Sequence, residues 1–154
     1  SGVRKEFSRC VIAKISPEAP QFLPLAGALI DAGCDALSLI NTIKGLAVDV
    51  VTRRPKLGNI TGGLSGPAIN PIALRYLYDI KSRYNIAVLA GGGIMNCADA
   101  LEFLIVGADA LSIGTATFVN PRASIEIRDG IETYLNDHGM RDVRSLIGSL
   151  RVEK

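Results

Sequence analysis

Residues 87–115 read AVLAGGGIMNCADALEFLIVGADALSIGT, and their order decides the fold. A short apolar run, AVLA, stops at Gly91, Gly92 and Gly93. Glycine has no Cβ, so it enters left-handed backbone regions without steric cost and lets a ligand approach the main chain closely. Asn96 then stands where a helix N-cap belongs, with acidic Asp99 in the first turn after it. Gly107 ends that helix, and ALSIG is a second buried strand running into Gly114-Thr115. Two parallel strands ending side by side in glycine turns present backbone N–H groups on one rim. Such a rim suits an anion, a phosphate above all.

The rest of the chain agrees with a parallel α/β architecture. Of its 154 residues 48% are hydrophobic, tryptophan is absent and aromatics are few, the vocabulary of buried parallel strands and their helices. The length suits one domain, spanning residues 1–154, or part of a larger one. A formal net charge of +2 argues for neither nucleic acid nor an anionic membrane as partner. No apolar run nears the roughly 20 residues that span a bilayer, and no secretory pattern opens the chain, so a cytoplasmic location is expected. Cys10, Cys34 and Cys97 lack disulfide or zinc spacing and read as free, mostly buried thiols; no metal site is expected. Ser1-Gly2 reads as a pair added ahead of the natural sequence.

From the N-terminus, CVIAKI is a short strand with Lys14 near its C-terminal end, a position where a lysine needs a partner. LAGALIDAG is a helix closed by Gly33, and CDALSLIN is the next strand, ending at Asn41-Thr42. Residues 43–70 show no sustained period and are expected to form a long functional loop, a lid or binding loop. Pro71 starts an amphipathic helix with Ile72, Leu74, Leu77, Tyr78 and Ile80 as candidate inward residues. After the glycine-turn unit, SIEIRDGIETYLNDHG is a helix ending near Gly139, and RDVRSLIGSL is a short final amphipathic helix. GCDALSLI at residues 33–40 and GADALSIG at residues 107–114 share one form, a helix-ending glycine, a small residue, Asp and a strand. The chain is therefore a series of four βα units whose unusual residues gather at the C-terminal ends of the strands, where parallel α/β folds bind ligands.

At this point the residues resemble a known family, dihydroorotate dehydrogenase, in the class 1 type found with a separate electron-transfer subunit. The stretches that carry the resemblance are VIAKISP, ALSLINT, DVVTRRPKLGNITGGLSGPAINP, LAGGGI with GADALSIGTATF, and GIETYL. The resemblance implies the C-terminal half of a TIM (βα)8 barrel holding FMN at its rim, for flavin-dependent oxidation of dihydroorotate to orotate in pyrimidine biosynthesis. It implies Lys14, Ile40, Gly66, Gly92, Gly93, Gly114 and Thr115 as cofactor contacts, and Asn41 and Thr42 as contacts to the pyrimidine. A cation beside a flavin stabilises the negative charge of its reduced form, and a side-chain amide matches both edges of an imide. On local sequence alone, Lys14 also reads as a strand-end lysine snorkelling to water, Asn41 as a turn cap and the glycines as tight turns.

The resemblance reaches only the second half of the family's barrel, four βα units where eight close it. The family's proton-accepting cysteine has no counterpart, since no NxxCPN-like segment occurs; no catalytic residue is assigned here. His138 reads as a helix-end residue, Arg53-Arg54 as a loop anchor and the three cysteines as non-catalytic. Open sheet edges are expected to pair with the missing N-terminal half-barrel or with a second copy in a homo-oligomer. In the complete family complex a subunit carrying FAD and an iron–sulfur cluster would take the electrons. Two further readings stand beside this one: a phosphate- or FMN-binding half-barrel without chemistry, and part of a flavoprotein like dihydropyrimidine dehydrogenase.

Overall fold

The computed structural model describes residues 2–152; Ser1, named above with Gly2, and residues 153–154 lie outside them. The first part of the chain runs α1 (Gly2–Glu6), β1 (Ile12–Lys14), α2 (Phe22–Asp31) and β2 (Ala36–Leu39). Two antiparallel ribbons follow, with β3 (Ile43–Leu46) paired to β6 (Thr61–Leu64) and β4 (Val48–Asp49) to β5 (Arg54–Pro55). A 3₁₀ turn (Pro67–Ile69) leads into α3 (Asn70–Lys81), then β7 (Ala87–Ala90), α4 (Cys97–Val106), β8 (Ala110–Leu111), α5 (Ala116–Val119) and α6 (Ala123–Asp137). Strands β1, β2, β7 and β8 form one parallel sheet in that order.

The pleat sorts the residues of this sheet between two faces. Leu37, Leu39, Val88 and Ala90 are buried, and they form one core with Phe22 and Ala26 of α2, Leu77 and Ile80 of α3, and Phe103 of α4. Full burial of one such large apolar side chain contributes roughly 1.5–3 kcal/mol. The alternating residues Ile12, Lys14, Ala87 and Ala110 are exposed on the strands, so the other face of the sheet is open.

The sequence repeat has a physical counterpart at the N-terminal ends of the strands. Gly33 (φ +90°) and Gly107 (φ +124°) release the chain from α2 and α4, and an aspartate enters the following strand in each case. Asp35 Oδ2 accepts from Val11 N–H at 2.7 Å and pairs with Arg4, whose guanidinium also donates to the Gly33 and Arg9 carbonyls. Asp109 Oδ2 accepts from Val88 N–H at 2.8 Å and pairs with Lys81 at 3.1 Å, and Lys81 also donates to the Ile86 carbonyl. Each clasp holds the start of one strand to the start of its neighbour. Asn96 caps α4 as expected, in a full capping box with Asp99.

Several expectations are corrected. Within the long loop expected at residues 43–70, Pro67–Ile69 form the 3₁₀ turn and residues 43–64 fold into a two-tier antiparallel ribbon. Its tip is held by Asp49, whose Oδ1 accepts from Val51 N–H, Thr52 N–H and the Thr52 hydroxyl at 3.0, 2.7 and 3.0 Å. Its base is held by Glu18, which accepts from Lys44 N–H at 2.8 Å. The side chains of Arg53 and Arg54 form no hydrogen bond or ion pair with described residues, so they do not anchor it. Helix α2 begins three residues before Leu25, with Pro24 inside its first turn, where a missing N–H leaves no helical bond unmade. In α3 Leu77 and Ile80 face inward as expected, joined by Ala73 and the partly buried Leu74, whereas Ile72 and Tyr78 are 39% and 42% exposed at the edges of that stripe. Strand β8 is shorter than expected, Ala110–Leu111, with Ser112 N–H still bonded to the Ala90 carbonyl at 2.8 Å. The final segment makes a 3₁₀ turn (Val143–Ser145) in place of a helix, because Gly148 and Leu150 N–H groups bond the Leu104 and Ile105 carbonyls at the end of α4. The three thiols are free, but Cys10 is exposed and Cys34 and Cys97 are only partly buried.

Candidate functional site

The C-terminal ends of the four parallel strands and the return limb of the ribbon enclose one cavity of about 170 Å³. Strand β1 delivers Lys14. The segment after β2 delivers Ile40, Asn41 and Thr42, and the turn after β7 delivers Gly91, Gly92 and Gly93. Gly114 and Thr115 follow β8, and Ser65-Gly66 return from β6. All nine residues singled out from the sequence line this cavity.

Backbone geometry explains why glycines stand there. Gly92 and Gly93 have φ of +134° and +88°, a region that side chains oppose. A methyl group on Gly93 would stand 2.7 Å from Asn70 N, 2.8 Å from Asn70 Cβ and 2.8 Å from the Gly66 carbonyl oxygen. The β2–β7 ladder continues past the strands through Gly91 N–H to Leu39 O (2.7 Å) and Ile40 N–H to Gly91 O (3.0 Å), which fixes Ile40 beside the glycine turn.

Several polar groups of the lining have no partner among the described residues. The N–H groups of Gly92, Gly93, Gly114 and Thr115 have no acceptor among the described residues. Lys14 is the only charged residue in the lining, and no carboxylate accompanies it. It is exposed, and its ammonium forms no hydrogen bond or ion pair with described residues. Asn41 Oδ1 accepts from the N–H of the next residue, Thr42, at 2.8 Å, and Asn41 lines the cavity. The Thr115 hydroxyl donates to Ser65 Oγ at 2.9 Å and ties the β8 turn to the ribbon. An unpaired cation and a set of unpaired N–H donors on one concave surface suit an anionic ligand.

Sequence reasoning missed Ser38, Ser65, Ser112, Ile69 and Ile94, which also line the cavity. The repeat contains the signal for two of them, since Ser38 and Ser112 occupy the same place in DALS. None of the three thiols lines the cavity. Burial pushes the Cys34 and Cys97 thiols above the ordinary value, away from thiolate character. His138 stands at the end of α6, stacked on Tyr134 at 4.0 Å, and is not in the lining. Among the described residues no His, Cys, Asp and Glu cluster could hold a metal, and no helix is long and apolar enough to cross a membrane.

The family model for dihydroorotate dehydrogenase matches residues 1–135. The chain is 49% identical over 148 residues to the catalytic subunit of dihydroorotate dehydrogenase B (NAD(+)) of Geotalea uraniireducens, covering 96% of this chain and 48% of the relative. The same subunit of Caldicellulosiruptor bescii is 46% identical over 149 residues, covering 96% and 50%. The chain thus spans about half the length of the curated relatives it matches. Among solved structures, that of the Eimeria tenella enzyme in complex with ferulenol superimposes with a TM-score of 0.74 at 26% identity, over 91% of this chain and 38% of the other. The four parallel βα units are those of half a TIM barrel.

Proposed function

The chain belongs to the dihydroorotate dehydrogenase family, and on that premise we propose that it carries the FMN-phosphate side of a site for oxidising dihydroorotate to orotate in pyrimidine biosynthesis. The observation that carries the reading is convergence. Four separate strand ends and the ribbon bring Lys14, Ile40, Gly66, Gly92, Gly93, Gly114 and Thr115 to one cavity that has unpaired donors, one cation and no carboxylate. The family is flavin-dependent, and the residues present fit a phosphate-bearing flavin. The free N–H groups would receive the phosphate, and the glycines leave its approach clear. Bound FMN would supply the hydride acceptor. Lys14 would hold negative charge at the flavin's edge, Ile40 would pack against it, and Asn41 and Thr42 would orient the pyrimidine.

At about 170 Å³ the cavity is smaller than the 300–1,000 Å³ usual for ligand sites, which supports a wall shared with another piece of protein. The open face of the sheet and its edge strands β1 and β8 would receive the complementary N-terminal half-barrel, or a second copy in its absence. The relatives are named as catalytic subunits, which supports a partner subunit; in this reading that partner transfers electrons and carries FAD and an iron–sulfur cluster. The three free thiols fit a reducing, cytoplasmic setting. With no thiol in the cavity to take the substrate's proton, the chain alone is expected to bind without turning over. That is the reading of a binding half-barrel, and it stands second.

The test is an FMN titration of the purified chain, followed by flavin fluorescence and visible absorbance. Saturable binding, weakened about tenfold or more in Lys14→Ala, is the expected result, since charge-assisted contacts are worth roughly 1.5–3 kcal/mol. A folded chain that ignores FMN, both alone and with the complementary half added, overturns the reading.

A further inference from the structure

The parallel sheet contains the same strand pair twice. Asp35 Oδ2 accepts from Val11 N–H and Asp109 Oδ2 from Val88 N–H, and Ile12 pairs with Ala36 as Leu89 pairs with Ala110. With GCDALS aligned on GADALS, β1–β2 and β7–β8 are equivalent pairs. Val11 then matches Val88 and Lys14 matches Gly91, while Ala36 matches Ala110 and Leu39 matches Ile113. Inside the chain the two pairs are joined through β2 and β7. The outer strands β8 and β1 are the counterparts of β2 and β7, and each has one edge without a neighbour among the described residues. A contact that the chain already makes with itself is thus offered a second time.

The side chains show the same incompleteness. Leu37, Leu39, Val88 and Ala90 are buried where β2 meets β7. Their counterparts Leu111, Ile113, Val11 and Ala13 are only partly buried. Leu111 and Ile113 line an apolar groove of about 400 Å³ with Ile127 and Ile131 of α6. Val11 and Ala13 line another of about 300 Å³ with Leu29 of α2. In β1 the Val11 carbonyl and the Ile15 N–H bond groups at β2, so by alternation the N–H groups of Ile12 and Lys14 point out from the edge.

We propose that two copies of the chain pair β8 with the partner's β1, in parallel and in the register that β2 and β7 use inside each copy. That register sets Ala110 opposite the partner's Cys10, Leu111 opposite the partner's Val11 and Ile113 opposite the partner's Ala13. The N–H of the partner's Lys14 reaches the Ile113 carbonyl, as Gly91 N–H reaches the Leu39 carbonyl at 2.7 Å. Helix α6 lies across β8 and the partner's β1, as α3 lies across β2 and β7. A twofold axis makes the contact twice and closes eight strands into a ring with no edge left. The partner's Lys14 stands beside Gly114, so the other copy brings a lysine to the rim of each cavity. The inference rests on reading β1 and β8 as the open edges of half a barrel, and not on the ligand of the cavity.

The test joins solution mass with cross-linking. Sedimentation of the purified chain is expected to give twice the mass of one copy at micromolar concentration. Adjacent strands lie about 4.8 Å apart, inside the roughly 4.4–6.8 Å between Cα atoms that a disulfide spans. Ala110→Cys, treated with oxidised glutathione, should therefore run as a covalent dimer that reduction dissolves. Combined with Cys10→Ser it should lose that dimer, and the unaltered chain should form none. Within one copy β2 and β7 separate the two positions, so no bridge closes there. A monodisperse monomer overturns the proposal and leaves both edges to a different protein. A dimer whose Ala110→Cys form cross-links no better than the double variant overturns it too. Should Ala110→Cys not fold, amide exchange on the unaltered dimer decides. The Ile12 and Lys14 amides are expected to exchange as slowly as those of their counterparts Leu89 and Gly91, and fast exchange overturns the pairing. FMN bound by a monomer sinks this proposal alone, whereas a cross-linked dimer that ignores FMN upholds it and counts against the cavity reading.

Discussion

The two rims of the parallel sheet use similar residues to opposite ends. At the N-terminal rim the two strand-entry aspartates are matched. Asp35 takes Val11 N–H and Arg4, Asp109 takes Val88 N–H and Lys81, and the two cations also satisfy strand-entry carbonyls. At the C-terminal rim Lys14 has no partner, and the N–H groups of Gly92, Gly93, Gly114 and Thr115 have no acceptor among the described residues. Asn70, whose backbone packs against Gly93, has a buried Nδ2 with no partner among the described residues. One rim closes its own hydrogen bonds and holds strands together; the other leaves donors for something to be bound. In barrels of parallel strands the C-terminal face carries the chemistry and the opposite face the stability, and the half-barrel keeps that division.

Gly93→Ala should produce the largest effect. The residue is at φ +88° and its Cβ would meet Asn70 and the Gly66 carbonyl at 2.7–2.8 Å, so the turn must move. Stability is expected to fall by about 2–4 kcal/mol in urea denaturation, and binding at the cavity should be lost with it. A variant as stable as the parent that still bound FMN would falsify the account of the upper rim. Asp109→Ala tests the other side. It strands Val88 N–H and the Lys81 ammonium, and about 1–2 kcal/mol of stability should go, while FMN affinity in the folded population stays the same. If Asp109→Ala weakened FMN binding as much as Lys14→Ala, the two rims would not be separable.

What was legible in the sequence follows the same division. Each glycine turn and each Gly-x-Asp junction is set by residues within a few positions of one another, so LAGGGI, GCDALS and GADALS could be read directly. The ribbon at residues 43–64 was not legible as structure. Its strands are short, β6 is TGGL with two glycines, and its fixed points, Asp49 at the tip and Glu18 at the base, act through hydrogen bonds that no hydrophobic period records. The face of α3 was read correctly at Leu74, Leu77 and Ile80 but too widely at the exposed Ile72 and Tyr78, and the buried Ala73 is too small to mark an apolar stripe. Ile69 and Ile94 reach the cavity from a 3₁₀ turn and a bend, where periodicity has no meaning. Asn70 is the sharpest case, since only three-dimensional packing shows that its amide nitrogen lacks a partner.

The smallest expected effect separates the rims by pH. The Val11 N–H, and after it the Arg4 guanidinium, hold the Asp35 carboxyl below the usual carboxylate range. A folded-state value lower than the unfolded one means that the ionised group stabilises the fold at pH above the unfolded value, about 3.9 for aspartate. That contribution fades as pH falls through the depressed folded value. Asp35→Asn should therefore lower the melting temperature slightly near neutral pH and flatten its decline in acid, because the substituted amide no longer binds a proton. The N–H groups of Thr52 and Val51, with the Thr52 hydroxyl, depress Asp49 in the same direction, but at the ribbon tip and away from the parallel sheet. Asp49→Asn serves as the comparison, with melting followed by far-ultraviolet circular dichroism from about pH 7 down to about pH 3. If the N-terminal rim is what holds the strands together, the Asp35 variant should change the acid limb more than the Asp49 variant, whose partners lie two and three residues along the chain and are retained in part on unfolding. Identical acid limbs for Asp35→Asn and the unaltered chain would mean that the β1–β2 clasp is made but contributes nothing to holding the sheet, and that the lower rim's stabilising role rests on Asp109 and Lys81 alone.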